Sequence, residues 1–374
     1  RALGSLADGV VLESGGTLII SVDRYVDSKD LPIDITKNDN LILSSALSLK
    51  LAGEDVLLVT KDINLRLKAD ILGVPADDYG QVDVTLDELY SGQRVFDISG
   101  ERLKEYEANR FLALDEDEQM GVFANEYFIL QEFHNPRRRL LGRYHQAKKG
   151  IVPLISLREG IWGIYPKNVE QQFALDALLN DEIALVSLVG KAGTGKTLLA
   201  IAAGLEKAIA QGKYSRLLVS RPIQPMGRDL GFLPGDVNEK LAPWMQPIFD
   251  NVEFLMGADK KAAGRAQELI NQGMLNIEPL TYIRGRSISN IYFIIDEAQN
   301  LTPLEVKTII TRAGENTKII FTGDINQIDT PYLDTHSNGL SYLIDKINNH
   351  PMCSVITLQK GERSELANLA NELL

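Results

Sequence analysis

Two short segments of the chain carry residue types suited to phosphate chemistry. The first, GKAGTGKT from Gly190 to Thr197, has the pattern G-x-x-x-x-G-K-[ST] and lies between an apolar stretch and a helix-forming stretch. Glycines let such a loop curl so that its N–H groups face an anion, and a helix beginning there adds its positive end. Lys196 is placed to meet the β- and γ-phosphates, and the Thr197 hydroxyl to hold Mg²⁺. The segment predicts a nucleoside triphosphate site.

The second segment, YFIIDEAQN from Tyr292 to Asn300, places two acids after four apolar residues. Ligands of open α/β sheets bind at the carboxyl ends of strands, where these acids would emerge. Asp296 is predicted to hold the Mg²⁺ through water, and Glu297 to orient or deprotonate the attacking water. An Asp-Glu pair after a strand is by itself more often a helix start. The glycine loop upstream favours the catalytic interpretation.

Two glutamines extend the predicted site. Gln327, in KIIFTGDINQID, could sense the γ-phosphate from a neighbouring strand, or could be an ordinary loop amide. Gln171, in PKNVEQQFALDALL, could read the adenine edge, or could simply stand at a helix start. The full set of predicted nucleotide contacts is Gln171, Gly190, Lys191, Ala192, Gly193, Thr194, Gly195, Lys196, Thr197 and Leu198.

The elements that must position these residues alternate between strand and helix from about residue 161 onward. Apolar strand patterns in IALVSLVG, RLLVSRP, YFIID and KIIFTG, with the helical KTLLAIAAGLEKAIAQG, predict a parallel sheet. The Pro- and Gly-rich stretch from Arg221 to Pro247 predicts a long functional loop. We therefore expect an α/β domain over residues 161–374.

The first ninety residues show the same rhythm on a smaller scale. GTLIISV (Gly16–Val22) predicts a strand, Asn38–Gly53 a helix, EDVLLVTKD a buried parallel strand, and INLRLKADILG a second helix. Residues 91–160 differ, because VFANEYFIL and RRLLGRYH, separated by an Asn135-Pro136 turn, predict a small β connector. We expect three parts, 1–90, 91–160 and 161–374, with a packed connector.

The connector also concentrates cations among aromatic rings. Cations bind phosphate and rings stack on bases, as single-stranded binding requires, although a solvated hairpin tip would have a similar composition. The residues in question are Arg137, Arg138, Arg139, Arg143, Lys148 and Lys149, with Phe133, Tyr144 and His145. Trp162, Trp244 and Tyr165 are expected to be core or interface residues.

Composition limits the class of protein. The 374 residues include 44% apolar residues and have a net charge of −12, which argues against a generally basic, nucleic-acid-coating surface but leaves room for a local basic groove. No apolar run approaches the roughly 18 residues that span a membrane. A single cysteine, Cys353, excludes an internal disulfide and fits a cytoplasmic protein. The chain begins at Arg1, so targeting is not inferred from it.

Taken together, the motifs VGKAGTGKTLLA, SRPIQPMGRDLGFLPGD, YFIIDEAQN and FTGDINQID resemble those of PhoH-like ATPases, relatives of superfamily 1 helicases. The resemblance covers residues 161–374 and implies an ATP-binding core, hexameric rings and a connection with RNA. A ring implies an arginine that stabilises transition-state charge in a neighbour's site. Arg363 is the first candidate, and Arg221 and Arg312 are weaker ones.

A second resemblance covers the amino-terminal region. The segment from Asn38 to Tyr79 is similar to the later part of a PIN ribonuclease domain, in which clustered carboxylates hold Mg²⁺ or Mn²⁺ for phosphodiester hydrolysis. Asp39 and Asp62 match two family positions, although either could merely cap a helix or close a turn. The strand that carries the family's first aspartate has no counterpart before RALGSLADGV. The nuclease is therefore expected to be weak or inactive in the chain as it stands.

Two functions of different classes remain open at this point. The first is an ATP-driven RNA helicase or translocase with an attached ribonuclease domain, acting on single-stranded RNA. The second is an ATP-dependent switch or assembly platform for a protein partner, which the acidic balance favours. A small-molecule kinase fits less well, because the acid pair and the TGDINQ turn suit hydrolysis better than transfer.

Overall fold

The computed structural model describes residues 9–11, 15–20, 38–60, 62–77, 90–157, 159–223, 237–257, 262–283, 288–330 and 333–361. The chain divides into two compact units, Arg1–Val82 and Asp83–Leu374. The connector strands belong to the second unit, and the predicted boundary near residue 160 stays a prediction. No helix in the described ranges is both long and apolar enough to cross a membrane.

The first unit contains short strands and two helices. They are β1 (Val10–Val11), β2 (Thr17–Leu18), α1 (Asn38–Leu51), β3 (Leu58–Val59), α2 (Ile63–Ile71) and β4 (Ala76–Asp77). β3 and β4 are parallel, as the strand–helix rhythm predicted. The strand predicted from Gly16 is present but shorter than predicted, because β2 covers two residues, antiparallel to β1, and Ile19 and Ile20 beyond it are exposed. Residues 21 and 22 lie outside the described ranges.

The connector forms a five-stranded sheet of order β5-β7-β8-β9-β6. Its elements are β5 (Gln93–Ile98), α3 (Gly100–Asn109), β6 (Leu112–Ala113), α4 (Glu116–Gln119), β7 (Tyr127–Glu132), β8 (Asn135–His145) and β9 (Gly150–Pro153). Alternation along the strands gives the sheet two apolar faces. One face packs with α3, and the other contributes Tyr127, Ile129 and Leu141 to the core of the large sheet.

The large sheet has six parallel strands in the order β12-β11-β13-β14-β10-β15. Its strands and the helices around it are α5 (Val169–Leu179), β10 (Leu185–Gly190), α6 (Lys196–Leu205), β11 (Arg216–Ser220), α7 (Val237–Met256), α8 (Ala262–Asn271), β12 (Leu275–Ile277), β13 (Ile291–Ile295), α9 (Pro303–Ile310), β14 (Lys318–Gly323), α10 (Gly339–Ile347) and β15 (Cys353–Leu358). The predicted α/β fold with a parallel sheet is confirmed. The glycine loop follows β10 and the acid pair follows β13. These two strands are separated in the sheet by one strand, β14.

The predicted loop from Arg221 to Pro247 was wrong at its carboxyl-terminal end. Val237–Met256 is a helix with Pro243 and Pro247 inside it. Proline normally interrupts a helix because it lacks an N–H and clashes with the preceding turn. Here Met245, Ile248 and Val252 recur at helical spacing and are buried, and this packing outweighs the prolines. Residues 224–236 lie outside the described ranges.

A buried carboxylate joins the connector to the large sheet's helices. Asp176 on α5 accepts hydrogen bonds from the Tyr127 hydroxyl at 2.9 Å and the Ile155 N–H at 2.7 Å. Arg143 of β8 lies 3.4 Å from the same carboxylate and is itself buried. The predicted phosphate-binding role of Arg143 was therefore wrong, because its guanidinium is used inside the protein. The connector is packed, as predicted, and is not a floppy linker.

Candidate active site

The glycine loop leaves β10 in a conformation that side chains would prevent. Gly190 and Gly193 have φ of 155° and 82°. A Cβ on Gly190 would lie 2.1 Å from the carbonyl oxygen of Leu358 on β15. Glycine is thus favoured at both positions by positive φ, and at Gly190 also by the close approach of a second backbone. The loop curls as predicted, directly before α6.

Lys196, the first residue of α6, points its amine into the loop. Its Nζ donates to the carbonyl oxygens of Gly190 at 2.6 Å and Lys191 at 2.9 Å, and the residue is only 9% exposed. These bonds hold a positive charge inside the curl, beside the amino end of a helix. The site is therefore suited to bind a polyanion.

Asp296 connects the acid-bearing strand to the glycine loop. It follows β13, and its Oδ1 accepts hydrogen bonds from Thr197 Oγ1 at 2.7 Å and from Thr322 Oγ1 at 2.6 Å. Thr322 belongs to β14, the strand between β10 and β13. The sequence prediction that Thr197 and Asp296 meet at one point agrees with this geometry. Their hydroxyl and carboxylate oxygens are the ligand types that Mg²⁺ prefers, so these two residues would hold the ion, which supplies charge neutralisation at the phosphates.

Glu297 is held in place from two sides. Its backbone has φ of 55°, unusual for a residue with a side chain. Arg221, just after β11, donates to Oε1 at 3.0 Å, and Gln299 donates to Oε2 at 2.6 Å. Burial and the neighbouring Asp296 raise the pKa of the Glu297 carboxyl, whereas Gln299, Arg221 and Lys196 oppose that rise. A carboxylate fixed beside the loop with a raised pKa is suited to accept a proton from water.

Gln299 and Asp324 complete the site and were missed by the sequence interpretation. Fully buried Gln299 also donates to the carbonyl of Gln327 at 2.8 Å and accepts from the Asp324 N–H at 3.1 Å. The Asp324 carboxylate accepts in turn from the Ala192 N–H of the glycine loop at 3.1 Å. These bonds connect the ends of β13 and β14 to the loop. The signal available in the sequence was that both residues are polar and follow a buried strand, Asp324 directly after β14 and Gln299 four residues beyond the end of β13.

The two predicted glutamines lie at the site in different ways. Gln171 is buried, donates to the Thr194 carbonyl at 3.1 Å and accepts from the Lys167 N–H at 2.9 Å. These bonds use one of its two N–H donors and one of its two acceptor lone pairs, so the predicted adenine contact would use the remaining ones. Gln327 is exposed and lines the same cleft. The roles of both in nucleotide binding stay predictions.

These residues surround a cleft of about 710 Å³. Two aromatic side chains, Tyr165 and Phe254, line it and are 58% and 64% exposed. Tyr165 is not part of the core, so the interface role that was its alternative stays a prediction, whereas Trp162 does pack against the core. The cleft thus has a polar floor and aromatic groups at its surface, as a nucleotide would require.

The three candidate arginines are placed differently. Arg221 forms an ion pair with Glu297 of its own chain, which favours a role in its own site over the predicted one in a neighbour's. Arg312 lines a separate hollow with Leu304 and Thr308. Arg363 lies outside the described residues, so its role stays a prediction.

The predicted metal ligands of the first unit are also located. Asp62 is the N-cap of α2 and accepts from the N–H groups of Asn64 at 2.8 Å and Leu65 at 3.2 Å. Asp39 lies in the first turn of α1. The described part of the chain contains no group of three or more His, Cys, Asp or Glu side chains that could hold a metal ion. A metal-binding role for Asp39 and Asp62 stays a prediction.

A glycine loop after an interior strand of a parallel sheet, with a strand-end carboxylate bonded to the loop's threonine, defines a nucleotide-binding ATPase of the P-loop class. The chain belongs to the PhoH family, because residues 163–372 match the model described as PhoH-like protein. Residues 2–80 match the model described as PIN domain. Both resemblances inferred from the motifs are confirmed.

Three relatives show the same family over the whole chain. Protein PhoH2 of Bacillus subtilis (strain 168) is 44% identical in an alignment that covers 100% of this chain and 86% of that protein. Those of Mycolicibacterium smegmatis and Thermobispora bispora are 36% and 32% identical, covering 96% of this chain and 80% of each protein. A crystal structure of Pif1 helicase from Candida albicans aligns with a TM-score of 0.28 at 16% identity, over 56% of this chain and 44% of that one. That structural similarity is too weak to support an argument.

The raised pKa of Glu297 predicts a pH dependence. A base must be ionised, so we expect kcat/KM for ATP to fall as pH drops through a pKa above that of an ordinary glutamate, about 4.3. Arg221→Gln removes a charge that lowers this pKa and should move the acid limb to higher pH. Profiles of kcat/KM against pH test this. The control is Lys104→Gln, which also removes one cation but on α3. An unmoved acid limb in Arg221→Gln would contradict the role of this pair.

Proposed function

We propose that the protein is an ATP-hydrolysing RNA helicase or translocase coupled to a metal-dependent PIN ribonuclease domain. The observation that carries the ATPase part is the bond between Thr197 and Asp296, which joins the glycine loop to the acid-bearing strand. In the proposed cycle, ATP with Mg²⁺ occupies the cleft and water activated by Glu297 attacks the γ-phosphate. The free energy released moves a bound single strand.

The proposal extends to assembly and location. A hexameric ring in the cytoplasm would let an arginine of one subunit, with Arg363 as first candidate, stabilise transition-state charge in the next. Support for these features comes from membership in the PhoH family and from the single cysteine.

The ribonuclease part is supported by the match of residues 2–80 to the PIN domain. Asp39 and Asp62 are the proposed ligands for Mg²⁺ or Mn²⁺, which would activate water for phosphodiester hydrolysis. A residue that caps a helix also has one carboxylate oxygen free for a cation, so the N-cap bonds of Asp62 are compatible with this role.

The alternative is an ATP-dependent switch for a protein partner, favoured by the net charge of −12. ATP turnover with and without single-stranded RNA separates the two. We expect RNA to raise kcat severalfold in the helicase or translocase. The same reactions run with Mn²⁺ should yield little shortened RNA, because two carboxylates alone hold a metal weakly. Glu297→Gln, assayed with the same RNA, serves as a control for any ATPase that contaminates the RNA preparation. Turnover that RNA leaves unchanged, with no RNA binding at low salt, would favour the switch.

A further inference from the structure

A second groove, of about 720 Å³, adjoins the ATP cleft. We name it the connector groove; it is lined by Gln93 and Arg139 of the connector sheet, Lys167 and Glu170 at the start of α5, and Lys360 just after β15. Lys167 lines both this groove and the ATP cleft. All of these residues belong to the second compact unit. The groove therefore lies beside the nucleotide site, on the connector side of α5.

The charge of the groove is opposite to that of the whole chain. Arg139, Lys167 and Lys360 are exposed, and none has an ion-pair partner among the residues that the structure describes. Glu170 is the sole acid among the described groove residues. Its Oε2 accepts the N–H groups of Gln359 at 2.8 Å and Lys360 at 3.1 Å, so its charge is partly compensated by the backbone. A cationic groove on an acidic protein indicates a polyanionic ligand.

The groove also offers neutral contacts. The amides of Gln93 and Gln172 can donate to phosphate or ribose oxygens. Val95, which is 56% exposed, and Ile129 supply apolar surface. Cations that share one groove with amides and apolar groups suit an extended polyanion with bulky substituents better than a small anion.

Two adjacent residues connect this groove to the glycine loop. Glu170 holds the backbone of Gln359 and Lys360, and Gln171, next in the chain, donates to the Thr194 carbonyl within the loop. In addition, Leu358 pairs with Gly190 in the sheet register. A ligand bound against Lys360 would thus contact the same segments that position the loop.

We propose that the connector groove binds the sugar–phosphate backbone of single-stranded RNA, with Arg139 and Lys360 neutralising phosphates, and that this binding stimulates ATP turnover. The inference rests on the proposed function, of which it names the RNA site. The proposed site retains only part of the basic cluster that the sequence predicted as an RNA contact. Of that cluster, Arg143 is buried and Arg138 pairs with Glu107, whereas Arg139 faces the groove.

The test uses the full chain and the double variant Arg139→Ala with Lys360→Ala. The slope of log K against log salt is negative, and each lost phosphate contact should make it less steep by about 0.7. For two contacts this is a loss of about 25-fold in affinity at 0.1 M salt, relative to 1 M salt where this contribution vanishes. Anisotropy of a labelled oligouridine between about 50 and 200 mM salt measures both quantities. The RNA concentration that gives half-maximal stimulation of ATPase should rise by about the same factor, and turnover without RNA should be unchanged. Lys167 is left intact because it also lines the ATP cleft.

Two controls make the result specific. Lys148→Ala removes an exposed connector cation outside the groove and should bind RNA normally, and Arg139→Lys with Lys360→Arg should restore most of the affinity. Unchanged affinity and slope in the double alanine variant, or an equal loss in Lys148→Ala, would overturn the groove assignment. Preferential binding of polyglutamate would instead identify a site for acidic polypeptides. Failure of the wild-type protein to bind RNA at all would refute the proposed function as well.

Discussion

Lys196→Ala is expected to abolish ATP turnover, with a loss of at least about a thousandfold. The Lys196 amine is held inside the glycine loop by the carbonyls of Gly190 and Lys191, where the phosphates would lie. Without it, the negative charge that develops on the transferred phosphoryl group loses its nearest fixed cation. Binding should also weaken, because the same charge contacts the ground-state phosphates. Steady-state release of inorganic phosphate and binding of a fluorescent ATP analogue measure the two effects.

The matched control is Lys191→Ala in the same loop. The Lys191 side chain is exposed, and the loop uses its backbone carbonyl, so this variant should keep most of the turnover. Thermal unfolding shows whether either variant has lost its fold. A Lys196→Ala protein that is folded and turns over ATP within tenfold of the wild type would show that this loop is not the hydrolytic site.

Glu297→Gln is expected to separate binding from hydrolysis. The amide keeps the shape of the carboxyl and can accept from Arg221 through its oxygen, but it cannot take a proton from water. We expect turnover to fall by about 10²- to 10⁴-fold, as for loss of a general base, with ATP affinity nearly unchanged. Single-turnover hydrolysis and equilibrium ATP binding test this.

Glu315→Gln provides the comparison, because Glu315 is exposed and does not line the cleft. It should behave as the wild type in both assays. Normal turnover in Glu297→Gln would remove Glu297 from the role of base and leave water activation to another group. A loss of ATP binding equal to the loss of turnover would instead indicate that Glu297 acts mainly by holding Arg221 and Gln299 in position.

Some predictions failed where packing outweighed local pattern. Pro243 and Pro247 predicted a loop, but the buried row of Met245, Ile248 and Val252 holds this segment as a helix. Arg143 looked like a phosphate contact because it lies in a basic run, yet it faces the interior and approaches Asp176. The sequence shows which residues of this segment are charged. Which of them reach solvent depends on the face of the sheet to which each side chain of β8 points.

The sequence by itself determined the local chemistry of the ATPase. The spacing of the glycines, Lys196 and Thr197 predicts a phosphate-binding turn. The apolar run before Asp296 predicts a buried strand that ends in an acid. Both could be inferred from the sequence because each depends only on residues that are close together in the chain. Only the tertiary structure decided that Thr322, Gln299 and Asp324 join them, since that follows from β14 lying between β10 and β13. The connector groove likewise exists only because residues far apart in sequence, Arg139, Lys167 and Lys360, come from elements that pack together. Strand order and packing are set by long-range burial of apolar faces, which no short motif encodes.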